Sequence, residues 1–407
     1  MTLSNKKSQF LLLSLIFFLG CLIAFNRGSN FSDGDSYSLI LAYLNFFNEG
    51  FYTPSRGAYG HPIPELFIGF LAYYYGTPIS NIFCFILFFF SILFLYKTFF
   101  LNKSVLLFFI LVFSNFYLFF ENTNSIDYPI AMFFFSVGLF LLKKEWLFLS
   151  YIFFGLTIAS RANFLTFIYP ILLIYFFDQI KRFEFKNTII SFLIVTAIGL
   201  IFYIPLFQLH NFTFGFLDLP FLGDNIKENA GWYGGPPLSL DSLLPRFFYK
   251  VNLTVGIYSS FIIILFLSEI LKKIEFFSKD IFIINSIIFI NLFVFFFMPT
   301  KILIINPFII FLYVICFKYL ENKKILLIIF FNFLTWLITY QIADIQYKEK
   351  NICTAHEAID YKFNFSINNG NLINFYSNKD ELKKCYGQFM GKYKKNFEEG
   401  KPLILSR

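Results

Sequence analysis

A chain of 407 residues that is 57% hydrophobic and only 14% charged, with mean hydropathy +0.66, is not a soluble globule, because soluble domains carry about 25% charged residues. Its formal net charge of +8 does not by itself point to nucleic acid, since basic residues on a membrane protein report topology first. The 67 phenylalanines read as the codon usage of an AT-rich genome, not as aromatics with a common role.

Apolar runs predict an all-α polytopic membrane protein with eleven helices, near 10–25, 78–96, 104–120, 127–142, 146–160, 163–177, 188–207, 254–271, 281–298, 302–317 and 325–343. Several are shorter than the roughly 20 residues of a full crossing. With the gaps numbered alternately from a cytoplasmic N-terminus, fifteen cations fall inside, among them Lys97, Lys103, Lys143, Lys144, Lys181, Lys273 and Lys324. Only seven fall in the longer outside gaps, and eleven lie in the tail after residue 343. The positive-inside rule then turns gaps 26–77 and 208–253, and the C-terminal tail, to the extracytoplasmic side. "KKSQFLLLSLIFFLGC" also resembles a lipoprotein signal ending at Cys21. Ten further spans and the bulky Phe18 near the cleavage point favour an uncleaved first helix.

The first outer gap opens with two acids, Asp33 and Asp35, followed by Leu39, Leu41, Ala42, Leu44, Phe46 and Phe47 interrupted by polar residues. That pattern predicts an amphipathic helix lying at the interface, with the carboxylates at or before its N-terminus. A helix cap accounts for one Asp, but not for both. "GFYTPSRGAYGHPIPEL" follows, with Arg56 and His61 as its cations. Further on, Glu121 and Asp127 bracket "ENTNSIDYP", Arg161 ends the fifth helix in "GLTIASRANF", and Lys301 sits in "MPTKILIINP". Ionisable groups near hydrocarbon are costly and so suggest function; snorkelling anchors are the alternative for Arg161 and Lys301. All fall on the same side, which predicts one outer cavity with acids on one wall and cations on another.

The second long gap contains "GDNIKENAGWYGGPPLSLDSLLPR", where Trp232 and Tyr233 are candidates to stack on a sugar, or residues of a loop packed on the membrane surface. Cys21, Cys84 and Cys316 read as small apolar fillers. Cys353 and Cys385 lie in the outward tail, where an oxidising compartment allows a disulfide. The tail, 344–407, is polar and reads as a small α/β extracytoplasmic domain, separate from the transmembrane domain 1–343.

This arrangement suits transfer from a lipid phosphate-sugar: cations bind the phosphate and offset charge on the departing group, and a carboxylate takes the acceptor proton. Here the chain resembles the GT-C superfamily of glycosyltransferases, similar to protein O-mannosyltransferases, lipid A aminoarabinose transferases and the RgtA/B/C/D-like group. "DGDSYSLILAYLNFFNEGFYTPSR", "DYPIAMFFFSVGLFLL", "GLTIASRANFLTFIYPILLI" and "PTKILIINPFIIFL" carry the resemblance, in order, over about residues 9–320. It implies an inverting hexosyl- or pentosyltransferase in the bacterial inner (cell) membrane. The implied donor is a polyprenyl-phosphate sugar, and the acceptor a glycan, lipid or protein; no nucleic acid is implied. It assigns Asp35, or Asp33, to the acceptor proton, and Arg161, Lys301, His61 and Arg56 to the donor phosphate. Asp127 and Glu121 are assigned to acceptor or metal. An Asp-x-Asp offers hard oxygen ligands to a divalent cation, whereas many members of the superfamily are thought to need none. An O-antigen polymerase or ligase, which relies on arginines in large outer loops, fits less well, because the second gap has only Arg246. A transporter or flippase would be expected to show paired internal repeats and broken helices around mid-membrane charges; no such repeat is evident, and the charges gather at one face instead.

Asp33→Asn and Asp35→Asn, assayed separately for glycosyl transfer, are expected to abolish activity in at least one variant; full activity in both would end the assignment.

Overall fold

The computed structural model describes residues 6–30, 60–100, 103–209, 254–274, 278–297 and 302–350. It also describes Leu39, Ala42, Tyr43, Phe46, Phe47, Gly50, Tyr52, Pro54, Ser55, Asn211, Leu244, Phe247, Phe248, Val251 and Asn252. Asp33, Asp35, Arg56, Trp232, Tyr233, Lys301, Cys353 and Cys385 lie outside the described residues.

The described residues are almost wholly helical and include no strand. The main helices are α1 (Lys6–Asn30), α2 (Pro62–Tyr75), α3 (Thr77–Phe99), α4 (Val105–Phe113), α5 (Phe116–Glu121) and α6 (Asp127–Lys143). They are followed by α7 (Leu147–Ser160), α8 (Leu165–Tyr175), α9 (Lys186–Ile201), α10 (Ile257–Lys273), α11 (Lys279–Phe297), α12 (Asn306–Tyr319) and α13 (Asn322–Lys350). Helix stands at every one of the eleven expected segments. Three stretches, Lys7–Phe25, Pro78–Phe99 and Lys279–Phe296, are long and apolar enough to cross a membrane by length and composition. Proline at the first or second position of α2, α3 and α12 starts these helices where its missing N–H costs nothing.

The bundle is apolar outside as well as in its core. Phe10 (72% exposed), Ile257 (65%) and Phe261 (62%) turn outward from α1 and α10, as expected where the surroundings are as apolar as the side chains. Small residues let the helices approach. A Cβ on Gly155 of α7 would lie 2.5 Å from Ile198 of α9, and one on Gly138 of α6 would lie 2.7 Å from Phe154 of α7.

Neighbouring contacts fix helix direction. Asn81 of α3 donates to the Ala24 carbonyl of α1 (3.3 Å) while Phe17 packs on Phe89 (5.0 Å), so α1 and α3 are antiparallel. Ser80 meets Ser125 just before α6 (2.5 Å) and Phe94 meets Phe140 (5.4 Å), so α3 and α6 run parallel. α7 returns antiparallel to α6, with Ser150 bonded to the Gly138 carbonyl (2.9 Å). At the far end of α6, Lys143 pairs with Asp280 of α11 (2.8 Å), Lys279 with Asp178 (2.8 Å) and Lys324 of α13 with Glu269 of α10. The lysine-bearing turns thus share one end of the bundle. Asp127 lies about 24 Å away along α6 at 1.5 Å per residue.

Some expected helices are interrupted. The span 104–120 divides at Ser114–Asn115. Asn115 turns its side chain to cap α5, accepting from Leu118 N (2.8 Å), and donates to the carbonyls of Thr254 (3.0 Å) and Val255 (3.2 Å) and to Tyr313 Oη (3.0 Å). Asn332 of α13 receives Ser259 Oγ (2.5 Å) and Tyr313 Oη (3.2 Å) and donates to Ser114 Oγ (2.9 Å); Trp336 bonds the Ser114 carbonyl (2.7 Å). The groups freed by the break are satisfied by neighbouring helices. The span 302–317 opens likewise as a 3-10 turn, Ile302–Ile305, held by Asn291, which donates to Ile304 O (2.7 Å) and accepts from Phe308 N (3.0 Å). Beyond the expected spans, α2 folds back on α3 through Gly76 (φ 84), with Phe67 on Phe83 (6.0 Å). In the expected interfacial helix, Leu39, Ala42, Tyr43, Phe46 and Phe47 are helical, with Leu39, Ala42 and Tyr43 buried. Gly69 of α2 makes room for Tyr43, since a Cβ there would lie 2.1 Å from Tyr43 Cβ. The last helix continues through residue 343 to Lys350, and the rest of the tail is outside the described residues.

Asn332→Leu removes an acceptor shared by two buried hydroxyls and is expected to cost about 1–3 kcal/mol. Thermal or denaturant unfolding in detergent checks it; an unchanged midpoint would mean the node does not hold the break.

Candidate functional site

The site forms where α6 begins. The residues before it, Asn122, Thr123, Asn124 and Ser125, are polar yet buried. The turn satisfies them partly from within: Asn122 Nδ2 donates to Leu118 O (2.7 Å), and Ile126 N to Asn124 O (3.0 Å). Ser125 Oγ donates to Asn81 Oδ1 (2.6 Å), fastening the turn to α3. Asn122 Oδ1 and Asn124 Nδ2 are buried with no hydrogen-bond partner.

This turn delivers Asp127, wholly buried, to the first turn of α6. Arg161 follows the last residue of α7 and donates from Nη1 to Asp127 Oδ2. Its guanidinium lies over the Tyr128 ring, 3.8 Å from Cζ to the centroid, the stacking that a planar, delocalised cation allows. His61, just before α2, brings Nε2 to 3.9 Å from the same Asp127 oxygen. Three predicted residues from separate stretches of chain therefore meet. Glu121, on the last turn of α5, is buried at the start of the same connection. The two walls of opposite charge expected from sequence are, in this part, a joined ion pair.

Behind His61 stands Glu65, absent from the sequence-derived site. Its Oε1 accepts from the backbone N–H of Ser55 (2.8 Å) and of His61 (2.8 Å), and its Oε2 from Tyr52 Oη (2.7 Å). Burial pushes the Glu65 carboxyl above the usual carboxylate range; the donated bonds pull it down without cancelling that. Burial, then the neighbouring Glu65, raises the Tyr52 hydroxyl, so Tyr52 remains a donor. Gly60 makes the loop fit: its φ is +65, and a Cβ there would lie 2.5 Å from Glu65 Oε1 and 2.6 Å from Tyr52 Oη. Tyr203 is buried, within electrostatic reach of Glu65 and Arg161, and bonds Ile158 O (3.2 Å). The signal for Glu65 was "HPIPE": an acid four residues after His61, in the first turn of a proline-started helix.

Chemically, the arrangement holds a guanidinium rigidly against a carboxylate, with a titratable imidazole beside them. The described residues do not fit a divalent cation. Asp127 is engaged by Arg161, and no group of three His, Cys, Asp or Glu among the described residues is arranged for a metal.

Arg161→Ala would strand a buried carboxylate, and a loss of about 3–5 kcal/mol is expected; adding Asp127→Asn should recover part of it in the same unfolding assay. Glu65 holds its proton more tightly folded than unfolded, so its ionisation weakens the fold as pH rises above the ordinary carboxylate range. Glu65→Gln should flatten that part of the stability–pH curve. No protein-family model, curated protein or solved structure matches this chain.

Proposed function

We propose that the protein is an integral membrane glycosyltransferase of GT-C type. It moves a sugar from a polyprenyl-phosphate donor to a glycan, lipid or protein acceptor at the extracytoplasmic face of a bacterial inner membrane. The observation that carries this reading is the meeting of Asp127, Arg161 and His61 at the end of the bundle opposite the lysines. With the lysine end cytoplasmic, eleven crossings put the N-terminus inside and this site outside.

In this mechanism Asp127 fixes the Arg161 guanidinium, whose remaining N–H groups bind the donor phosphate and stabilise charge as the lipid phosphate departs. His61, when protonated, adds a donor, and Glu65 holds its backbone. Lys301 and Arg56 complete the phosphate clamp. The acceptor oxygen attacks the anomeric carbon from the face opposite the phosphate, the carbon–oxygen bond to phosphate breaks, and Asp35 or Asp33 takes the acceptor proton. The anomeric centre inverts. Trp232 and Tyr233 stack on the sugar.

A second reading, a lipid-linked-sugar transporter, draws on the α4–α5 break, since interrupted helices line transport paths. Its polar node is uncharged and closed on itself, which favours the enzyme.

Purified protein in vesicles with a polyprenyl-phosphate sugar is expected to release polyprenyl phosphate with an acceptor. Arg161→Lys, which keeps charge but loses the fork, should reduce kcat by about 100-fold. Transbilayer movement of the donor without glycosyl product would favour transport. Mass spectrometry of surface glycans from a deletion strain identifies the sugar.

A further inference from the structure

The lysine end of the bundle is not an even scatter of charge. Five ammonium groups from five chain segments gather round the C-terminal turn of α12. Lys103 donates to the carbonyls of Phe317 and Lys318 (2.9 Å to the latter), and Lys273 donates to that of Tyr319 (3.3 Å). Lys273 (2.8 Å) and Lys324 share Glu269. Lys143 (2.8 Å) and Lys318 (3.8 Å) share Asp280. Five cations therefore face two carboxylates, an excess of three positive charges. The helix C-terminus offsets only about half a charge.

We propose that this cluster is a binding site for the phosphate headgroup of an anionic membrane phospholipid. The remaining like charges repel one another at short range, and a phosphate is the group that relieves them; burial, then Lys273, already lowers the Lys103 ammonium. The lysines stay partly exposed and so reachable. A lipid, not free phosphate, is indicated by the flanks. Leu327, three residues after Lys324 on the same face of α13, is an exposed apolar side chain, and the Phe266 ring of α10 lies 5.5 Å from the Lys324 ammonium, where acyl chains would lie. This site is at the opposite end of the bundle from the Asp127–Arg161 pair, and it stands whether or not the protein transfers sugars.

The test uses the full-length protein in nanodiscs of phosphatidylcholine with increasing phosphatidylglycerol. Native mass spectrometry counts retained phosphatidylglycerol, and the thermal midpoint is followed. The wild type is expected to retain the anionic lipid and gain stability. Lys143→Gln, Lys273→Gln and Lys318→Gln together should weaken retention on the order of 100-fold, at roughly fivefold per lysine. Lys181→Gln, Arg182→Gln and Lys186→Gln remove the same charge from the same end without touching a residue in or next to the cluster and should leave retention within about twofold. If the first triple variant fails to fold, Lys318→Gln alone should weaken retention about fivefold. Equal weakening in both triple variants, no weakening in the first, or the same stabilisation by sodium phosphate in phosphatidylcholine alone would overturn the proposal.

Discussion

The buried carboxylate of Asp127 sets the strictest condition on this fold. Fully out of solvent, it is tolerable only beside a fixed cation, because stripping water from an ion costs several kcal/mol even after relaxation. Arg161 meets that condition from the far end of the next helix, so α6 and α7 must form a hairpin whose ends stay in register. The connection at the other end is tight: Glu145 takes a positive φ of 61, and Trp146 N bonds back to Leu141 O (3.0 Å). Gly138 against Phe154 then closes the middle. The α6–α7 hairpin is thus pinned at both ends, and it is the frame on which His61, Tyr128 and the buried polar turn are assembled.

Elsewhere the same condition is met without charge. In an apolar medium a backbone group freed by a helix break has no water to turn to. Asn115 sits at such a break, Asn291 and Asn332 reach the interrupted segments from continuous neighbouring helices, and Asn81 ties α3 to α1 and to the turn before α6. An amide suits the task because it donates and accepts at once and carries no net charge to desolvate. Membrane-type packing supplies the rest: glycines where helices cross closely, and bulky apolar side chains turned outward.

Charges that remain are sorted to the two ends for different physical reasons. At one end lysines cap a helix C-terminus and pair with Glu269, Asp280 and Asp178 on partly exposed surfaces, where each pair adds little stability. At the other, the ionisable groups Glu65, Asp127, Arg161 and His61 are buried or nearly so and interlocked, so their mutual geometry is stiff. The chain therefore gathers partly exposed lysines at one end and a nearly buried ion pair at the other.

Much of this was legible in the amino-acid order. Helix stands at each of the eleven segments that hydropathy marked, though α2 lies beyond them, and lysine spacing placed their turns at one end, because both are local or additive properties of the chain. The grouping of Asp127, Arg161 and His61 on one side followed from the same alternation. The sequence did not reveal that Asp127 and Arg161 bond to each other, that Glu65 anchors the His61 loop, or that Ser114–Asn115 divides a helix. Each of these depends on partners far away in the chain: 34 residues separate Asp127 from Arg161, and 198 separate Asn115 from Tyr313. Apolar periodicity fixes which residues are helical. Only packing decides which polar atoms meet, because a buried donor takes whichever acceptor the neighbouring helix brings within reach.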